Sequence, residues 1–294
     1  MLKKCLKYDL QAVGRVWWIL IASMLGAALI SGLAFRAFFE VNLDPDSAPN
    51  VLKILTVIGM IGALLCILGM FAALVISVII VYWRIYTNFY TDEGYLTFTL
   101  PVKRSTLYLS KVLTATIVET ATILMFILSI VLILLIAPPS THAGQIINPV
   151  ALTGIGDLFG DLFKGLIGID GGGWVIVWLI AAIPFLLMSQ LYASGLVFLC
   201  MTIGSVIAKK HKLLAAIGLY YGFTAAISFV SQFAALFLSA GVFSTIGIAS
   251  TGGITAMGLT VTAIILIADL VMACLATLLH FITVHLLEKK LNLA

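Results

Sequence analysis

Long charge-free runs of apolar residues recur along the whole chain, each closed by a short polar or charged segment. About 20 such residues make a helix that crosses the hydrocarbon core of a bilayer. The first run lies at about Val16 to Phe35 and is entered through Trp17 and Trp18, which suit the membrane interface. The second covers about Ile54 to Trp83. The third runs from about Val112 to Ala137 and is stopped by Pro138 and Pro139. The fourth runs from Trp174 to about Ala208, and Pro184 inside it predicts a kink. After Lys212 no charge appears until Asp269, a stretch of 56 residues. As one helix it would be about 84 Å long, far more than a bilayer. The Gly-, Ser- and Thr-rich segment Ser239 to Gly258 predicts the break. Spans five and six are therefore expected at Leu213 to Leu238 and Leu259 to Leu286. The connection at 239–258 is expected to be a re-entrant or interfacial hairpin shielded by protein, or else a plain surface loop.

The pattern predicts an all-α, polytopic membrane protein with six transmembrane helices, forming a single transmembrane domain over residues 1–294. Composition agrees: 63% of residues are hydrophobic and 10% charged, where a soluble domain has roughly 45–50% and roughly 25%. A water-soluble fold is thereby excluded. The basic start (Lys3, Lys4, Lys7) superficially resembles a signal peptide. Asp9 and Arg15 precede the apolar run and no A-x-A exit follows it, so a retained first span is expected. Cys5, Cys66, Cys200 and Cys274 have no paired spacing and suggest neither a disulfide frame nor a metal site.

Charge sets the orientation. With the termini inside, Lys3, Lys4, Lys7, Arg15, Arg84, Lys103, Arg104, Lys111, Lys209, Lys210, Lys212, Lys289 and Lys290 are all cytoplasmic, 13 of the 16 basic residues. Arg36, Lys53 and Lys164 fall outside. The positive-inside rule therefore places both termini in the cytoplasm, as in a bacterial plasma-membrane protein.

Residues 1–15 place Leu2, Leu6, Leu10 and Val13 on one side and Lys3, Lys7 and Arg15 largely elsewhere, predicting a cytoplasmic amphipathic helix at the inner surface. The Lys209 to Lys212 turn reads as a topology anchor. The first outer loop is short and acidic (Glu40, Asp44, Asp46). The second, 138–173, carries Leu152, Ile155, Phe159, Leu162, Phe163 and Leu166 at three- and four-residue steps, with Asp157, Asp161 and Lys164 mainly opposite. It predicts an amphipathic helix at the outer interface, either a lid on the bundle or a gate.

The first inner loop, 84–111, is the most ordered polar segment. Asp92 and Glu93 put acid in the first turn of a short helix that continues through Gly94, Tyr95 and Leu96. Pro101 ends it, and Ser105 is placed to cap the next helix. A loop that only links two spans needs a few residues; this one has the grammar of a surface for a partner.

Chemistry is sparse. No G-x-x-x-x-G-K-[ST] occurs, so no nucleotide site is expected in this chain, and H-E-x-x-H and C-x-x-C are also missing. No cofactor, metal or nucleic-acid partner is expected. Ser194 and His280 lie on the spans where a six-span serine protease of the rhomboid type holds its pair. The G-x-S-G motif of those enzymes is broken here by Tyr192, and Ser194 reads better as a small packing residue. Glu119 and Asp269 lie inside apolar runs, where a carboxylate is costly and marks a polar pathway, a proton site or a structural pair. Ser23, Ala27 and Ser31 in span one, and Gly218, Gly222 and Ala226 in span five, form small-residue stripes that allow close helix approach, within one subunit or between two.

The order of these features resembles the membrane permease subunits of type-2 ABC exporters. The residues that carry the likeness are Glu93, Gly94, Leu96, Leu100, Pro101, Val102, Arg104, Ser105 and Lys111. The stretch "DEGYLTFTLPVKRSTLYLSK" is similar to permeases of low-GC Gram-positive bacteria. The long second outer loop departs from many relatives. The resemblance implies a non-enzymatic subunit that forms a pathway as a dimer with an identical or related permease, pairing across spans one and five. It implies coupling through Asp92, Glu93, Gly94, Tyr95, Leu96, Pro101 and Arg104 to separate cytoplasmic ATPase subunits, which hold the ATP and magnesium. The cargo in such systems is a peptide, lipid-linked glycan, drug or ion, with an amphipathic or antimicrobial peptide favoured here. The other reading is a secondary transporter or channel with Glu119 and Asp269 as ion-coupling sites.

Overall fold

The computed structural model describes residues 2–43, 49–91, 94, 103–137, 172–208, 211–249 and 253–289. They form six long helices: α1 (Leu2–Leu43), α2 (Asn50–Tyr90), α3 (Arg104–Ile136), α4 (Gly172–Ile207), α5 (Lys212–Ala249) and α6 (Gly253–Lys289). All six are long and apolar enough to cross a membrane, which makes the chain a multi-pass membrane protein. The helix is forced by the solvent: hydrocarbon offers no hydrogen bonds, so each span must satisfy its own backbone.

The helices run past the expected ends. The amphipathic segment 1–15 is not a separate surface element. It continues without a break into span one as a single helix of 42 residues. The break expected within Ser239 to Gly258 falls late in that segment, and residues 239–249 continue α5. α5 stays helical to Ala249 and α6 begins at Gly253. Gly, Ser and Thr are tolerated inside membrane helices, where water cannot compete for their backbone, so they do not end α5. Residues 250–252 lie outside the described residues. So do the acidic tip of the first outer loop and the whole amphipathic helix expected at 152–166. Pro184 lies within α4, which continues on both sides of it.

The chain divides into two compact units. One comprises residues 1–9, 82–117 and 165–294, the other 10–81 and 118–164. In the first, α4 packs against both α5 and α6. Leu196, Leu199 and Cys200 of α4 and Leu279 of α6 form a buried cluster, flanked by Tyr192, Ile203, Leu219, Tyr220 and Leu286. A Cβ added at Gly195 would lie 3.7 Å from the Leu279 side chain, an ordinary contact, so α4 and α6 meet here with room for a small side chain.

In the second unit, α1 and α3 approach closely at Gly32, where a Cβ would lie 3.0 Å from the Cβ of Ile136. Phe71 of α2 meets Phe126 of α3 edge-on at 5.0 Å. Polar pairing fixes the register. Trp17 Nε1 donates to Thr122 Oγ1 at 2.8 Å, Thr122 donates to the Val118 carbonyl at 2.7 Å, and Ser77 Oγ lies 3.1 Å from Thr122 Oγ1. A hydroxyl has one proton and two lone pairs. The Thr122 proton is used on Val118, so Ser77 is the donor, and the hydroxyl is saturated. Thr122→Val keeps the shape and removes the hub joining three helices. It is expected to cost about 1 kcal/mol, since interhelical hydrogen bonds in membranes are individually modest. Unfolding in mixed micelles, beside Ser129→Ala whose bond is to its own helix, measures it. Equal stability of the two variants would refute the hub.

Candidate functional site around the connection between α2 and α3

The segment singled out by sequence joins α2 to α3. Asp92, Glu93, Tyr95, Leu96, Leu100, Pro101 and Val102 lie outside the described residues, and with them the expected coupling helix. Gly94 and both flanks are described, and all of the contacts that follow fall in the first unit.

The α2 flank ends in a wedge of aromatic rings. Phe89 and Tyr90 are fully buried. Thr202 of α4 donates its proton to the Phe198 carbonyl at 2.9 Å, so the Tyr90 hydroxyl is the donor in its 2.7 Å bond to Thr202 Oγ1. Thr91 Oγ1 donates to the Thr87 carbonyl, and the Gly94 N–H donates to the Thr91 carbonyl at 2.8 Å. Gly94 is buried against the turn it closes. A Cβ there would meet the Phe89 carbonyl oxygen at 2.7 Å.

The α3 flank is tied down at three levels. Arg104 Nη1 donates to the Leu287 carbonyl at 2.5 Å, a cation on the last turn of α6, where the helix dipole favours it. One turn on, Tyr108 lies between Phe198 of α4, edge-on at 5.3 Å, and His280 of α6 at 5.1 Å. A further turn on, Lys111 pairs with Asp9 of α1, and Ser110 reaches the same carboxylate. Ser105 is not the cap. The Lys103 carbonyl accepts the first helical bonds, from the Thr106 and Leu107 amides at 2.9 and 3.2 Å, which puts Lys103 in the capping place and Ser105 in the first turn. The two flanks together hold the connection to α1, α4 and α6, so a displacement of the loop bears on all three.

The other predicted residues are placed as follows. Glu119 is buried, 6% exposed, in the α3 segment of the second unit. Asp269 belongs to the first unit, and its Oδ1 is closed off without a hydrogen-bond partner. Ser194 Oγ lies 3.1 Å from the Leu191 carbonyl and 3.2 Å from Thr116 Oγ1, while the His280 ring packs on Tyr108. That arrangement supports a packing role for Ser194. The α1 stripe splits: Ser31 is fully buried and Ser23 exposed. The packed face of α1 follows Met24, Ala28, Ser31 and Gly32, one position round from the predicted stripe. The α5 stripe is open. Gly218, Gly222 and Ala226 are exposed, and no atom lies within 4 Å of a Cβ built at either glycine.

Sequence reading missed Asp9, Tyr90 and Thr202. Asp9 carried a signal, being the sole acid among the basic residues 3–15. Tyr90 and Thr202 carried none, since their pairing spans more than a hundred residues. Compared with family models, curated proteins and solved structures, the chain matches none.

Proposed function

We propose that this chain is the permease subunit of an ATP-driven ABC exporter, with the α2–α3 connection facing the cytoplasm and receiving the stroke of a separate ATPase subunit. The observation that carries the reading is the fixing of both flanks of that connection. Tyr90 on one side and Arg104, Tyr108 and Lys111 on the other tie it to α4, α6 and α1. A loop that merely joined two spans would need none of these ties; a loop that transmits force needs several. The open small-residue face of α5 supports pairing with a second, identical or related permease. An amphipathic or antimicrobial peptide is the favoured cargo. Purification in mild detergent from the native membrane, with identification of associated proteins, tests the proposal. An ATPase with a Walker nucleotide motif is the expected companion. If none associates, the chain is instead a secondary transporter or channel. Its coupling sites are then Glu119, buried within its span, and Asp269, with its unpartnered oxygen.

A further inference from the structure

The ion pair between Asp9 and Lys111 has more structure than a topology signal requires. The Lys111 side chain is 11% exposed and that of Asp9 18%. Both carboxylate oxygens are engaged: Oδ1 accepts from Lys111 Nζ, and Oδ2 lies 3.2 Å from Ser110 Oγ. Ser110 is itself fully buried, and its single hydroxyl proton is shared between Asp9 Oδ2 and the Leu107 carbonyl, which lies at 2.8 Å. The other charges on this part of α1, Lys3, Lys4, Lys7 and Arg15, are exposed, so Asp9 is the charge that α1 turns inward. Along α1, residues 1–9 group with the unit that contains Lys111, and residues from Leu10 onward group with the other. The divide falls immediately after Asp9.

We infer that Asp9, Ser110 and Lys111 form an ionic latch that holds the first two turns of α1 to the start of α3, and that opening it releases those turns while the rest of α1 stays in place. The physical basis is the depth of the pair. A buried charge left without its partner is strongly unfavourable, so the latch has two stable conditions, both partners engaged or both re-solvated, with little between them. Lys111 lies seven residues beyond Arg104, so a movement of the α2–α3 connection that turns α3 would draw on the latch directly. The latch is defined by contacts alone and holds whether or not an ATPase binds the chain.

Hydrogen exchange on the full chain in lipid nanodiscs tests it. Asp9→Asn and Lys111→Met are each expected to speed exchange of the amides of residues 2–9 by about tenfold or more, with residues 16–35 unchanged. Lys111→Arg keeps the charge and is expected to keep the protection. The reversed pair, Asp9→Lys with Lys111→Asp, is expected to restore most of it. Unchanged exchange at 2–9 in both single variants would overturn the latch. So would acceleration spread evenly along α1, which marks general loosening. If a single variant fails to insert, Ser110→Ala removes one of the two carboxylate contacts alone. A smaller acceleration confined to 2–9 then supports the latch, and none overturns it.

Discussion

Gly204→Leu is expected to destabilise the folded chain by about 2 kcal/mol, whereas Gly218→Leu leaves it as stable as wild type or up to about 1 kcal/mol more stable. The two glycines look alike in sequence, each in a long apolar helix. Gly204 is buried in the last turn of α4, where its carbonyl accepts from the Ala208 amide at 3.0 Å. A Cβ there would lie 2.7 Å from the amide nitrogen of Ala216, 2.9 Å from its Cα and 3.0 Å from its Cβ. Two of those three atoms are backbone, held in the first turns of α5, where Ala215 is bonded to the His211 carbonyl at 3.1 Å. Neither helix can yield there without displacing the backbone of the other. Replacing glycine inside a helix gains roughly 1 kcal/mol of propensity, and at Gly218, with open space around it, that gain stands unopposed. At Gly204 overpacking of roughly 1–3 kcal/mol or more outweighs it, and leucine, with three carbons beyond Cβ, takes the upper end. Denaturation in mixed micelles measures both. A Gly204→Leu protein as stable as wild type would mean that α4 and α5 do not approach as described. If α5 also forms the permease pairing face, Gly218→Leu keeps its stability and loses the dimer.

The six spans were legible because hydrocarbon imposes a one-dimensional rule, a continuous apolar helix, which shows in the sequence without knowledge of any contact. Their ends were not. Once started, a helix needs only its own backbone bonds, so α2 continues through Arg84, Tyr86 and Asn88 to Tyr90 although these residues are polar or amphipathic. The same reasoning carries α5 past its Gly- and Ser-rich end. Faces were half legible. Small residues at four-residue spacing marked α1 as a packing helix, but Ser31 belongs to both the predicted stripe and the observed one, and spacing alone cannot choose between faces one position apart. Gly204 was indistinguishable from Gly218 because what separates them is a backbone atom twelve residues away. Lys111 was recognisable as a charge at a membrane edge; its partner, about a hundred residues earlier, was not.

Gly94→Arg is expected to lower the ATP hydrolysis that the permease stimulates in its partner by about tenfold or more, with insertion unchanged. The prediction rests on the export reading and on the geometry of one turn. The Gly94 amide closes that turn on the Thr91 carbonyl, and its Cα hydrogen faces the Phe89 carbonyl, where a Cβ would stand 2.7 Å from the oxygen and 3.0 Å from the carbon. Phe89 cannot retreat: it is fully buried, and the next residue is bonded through its hydroxyl to Thr202. The turn must open instead. A strain of about 1–3 kcal/mol against the coupled conformation is a change of roughly 5- to 150-fold in its population. Gly94→Ala, which adds the Cβ alone, is expected to fall between wild type and Gly94→Arg. Because α2, α4 and α6 keep their own contacts, thermal stability should move little. That separates a lost coupling surface from a misfolded one. Stimulation and transport at wild-type levels in Gly94→Arg would remove the α2–α3 connection from the mechanism.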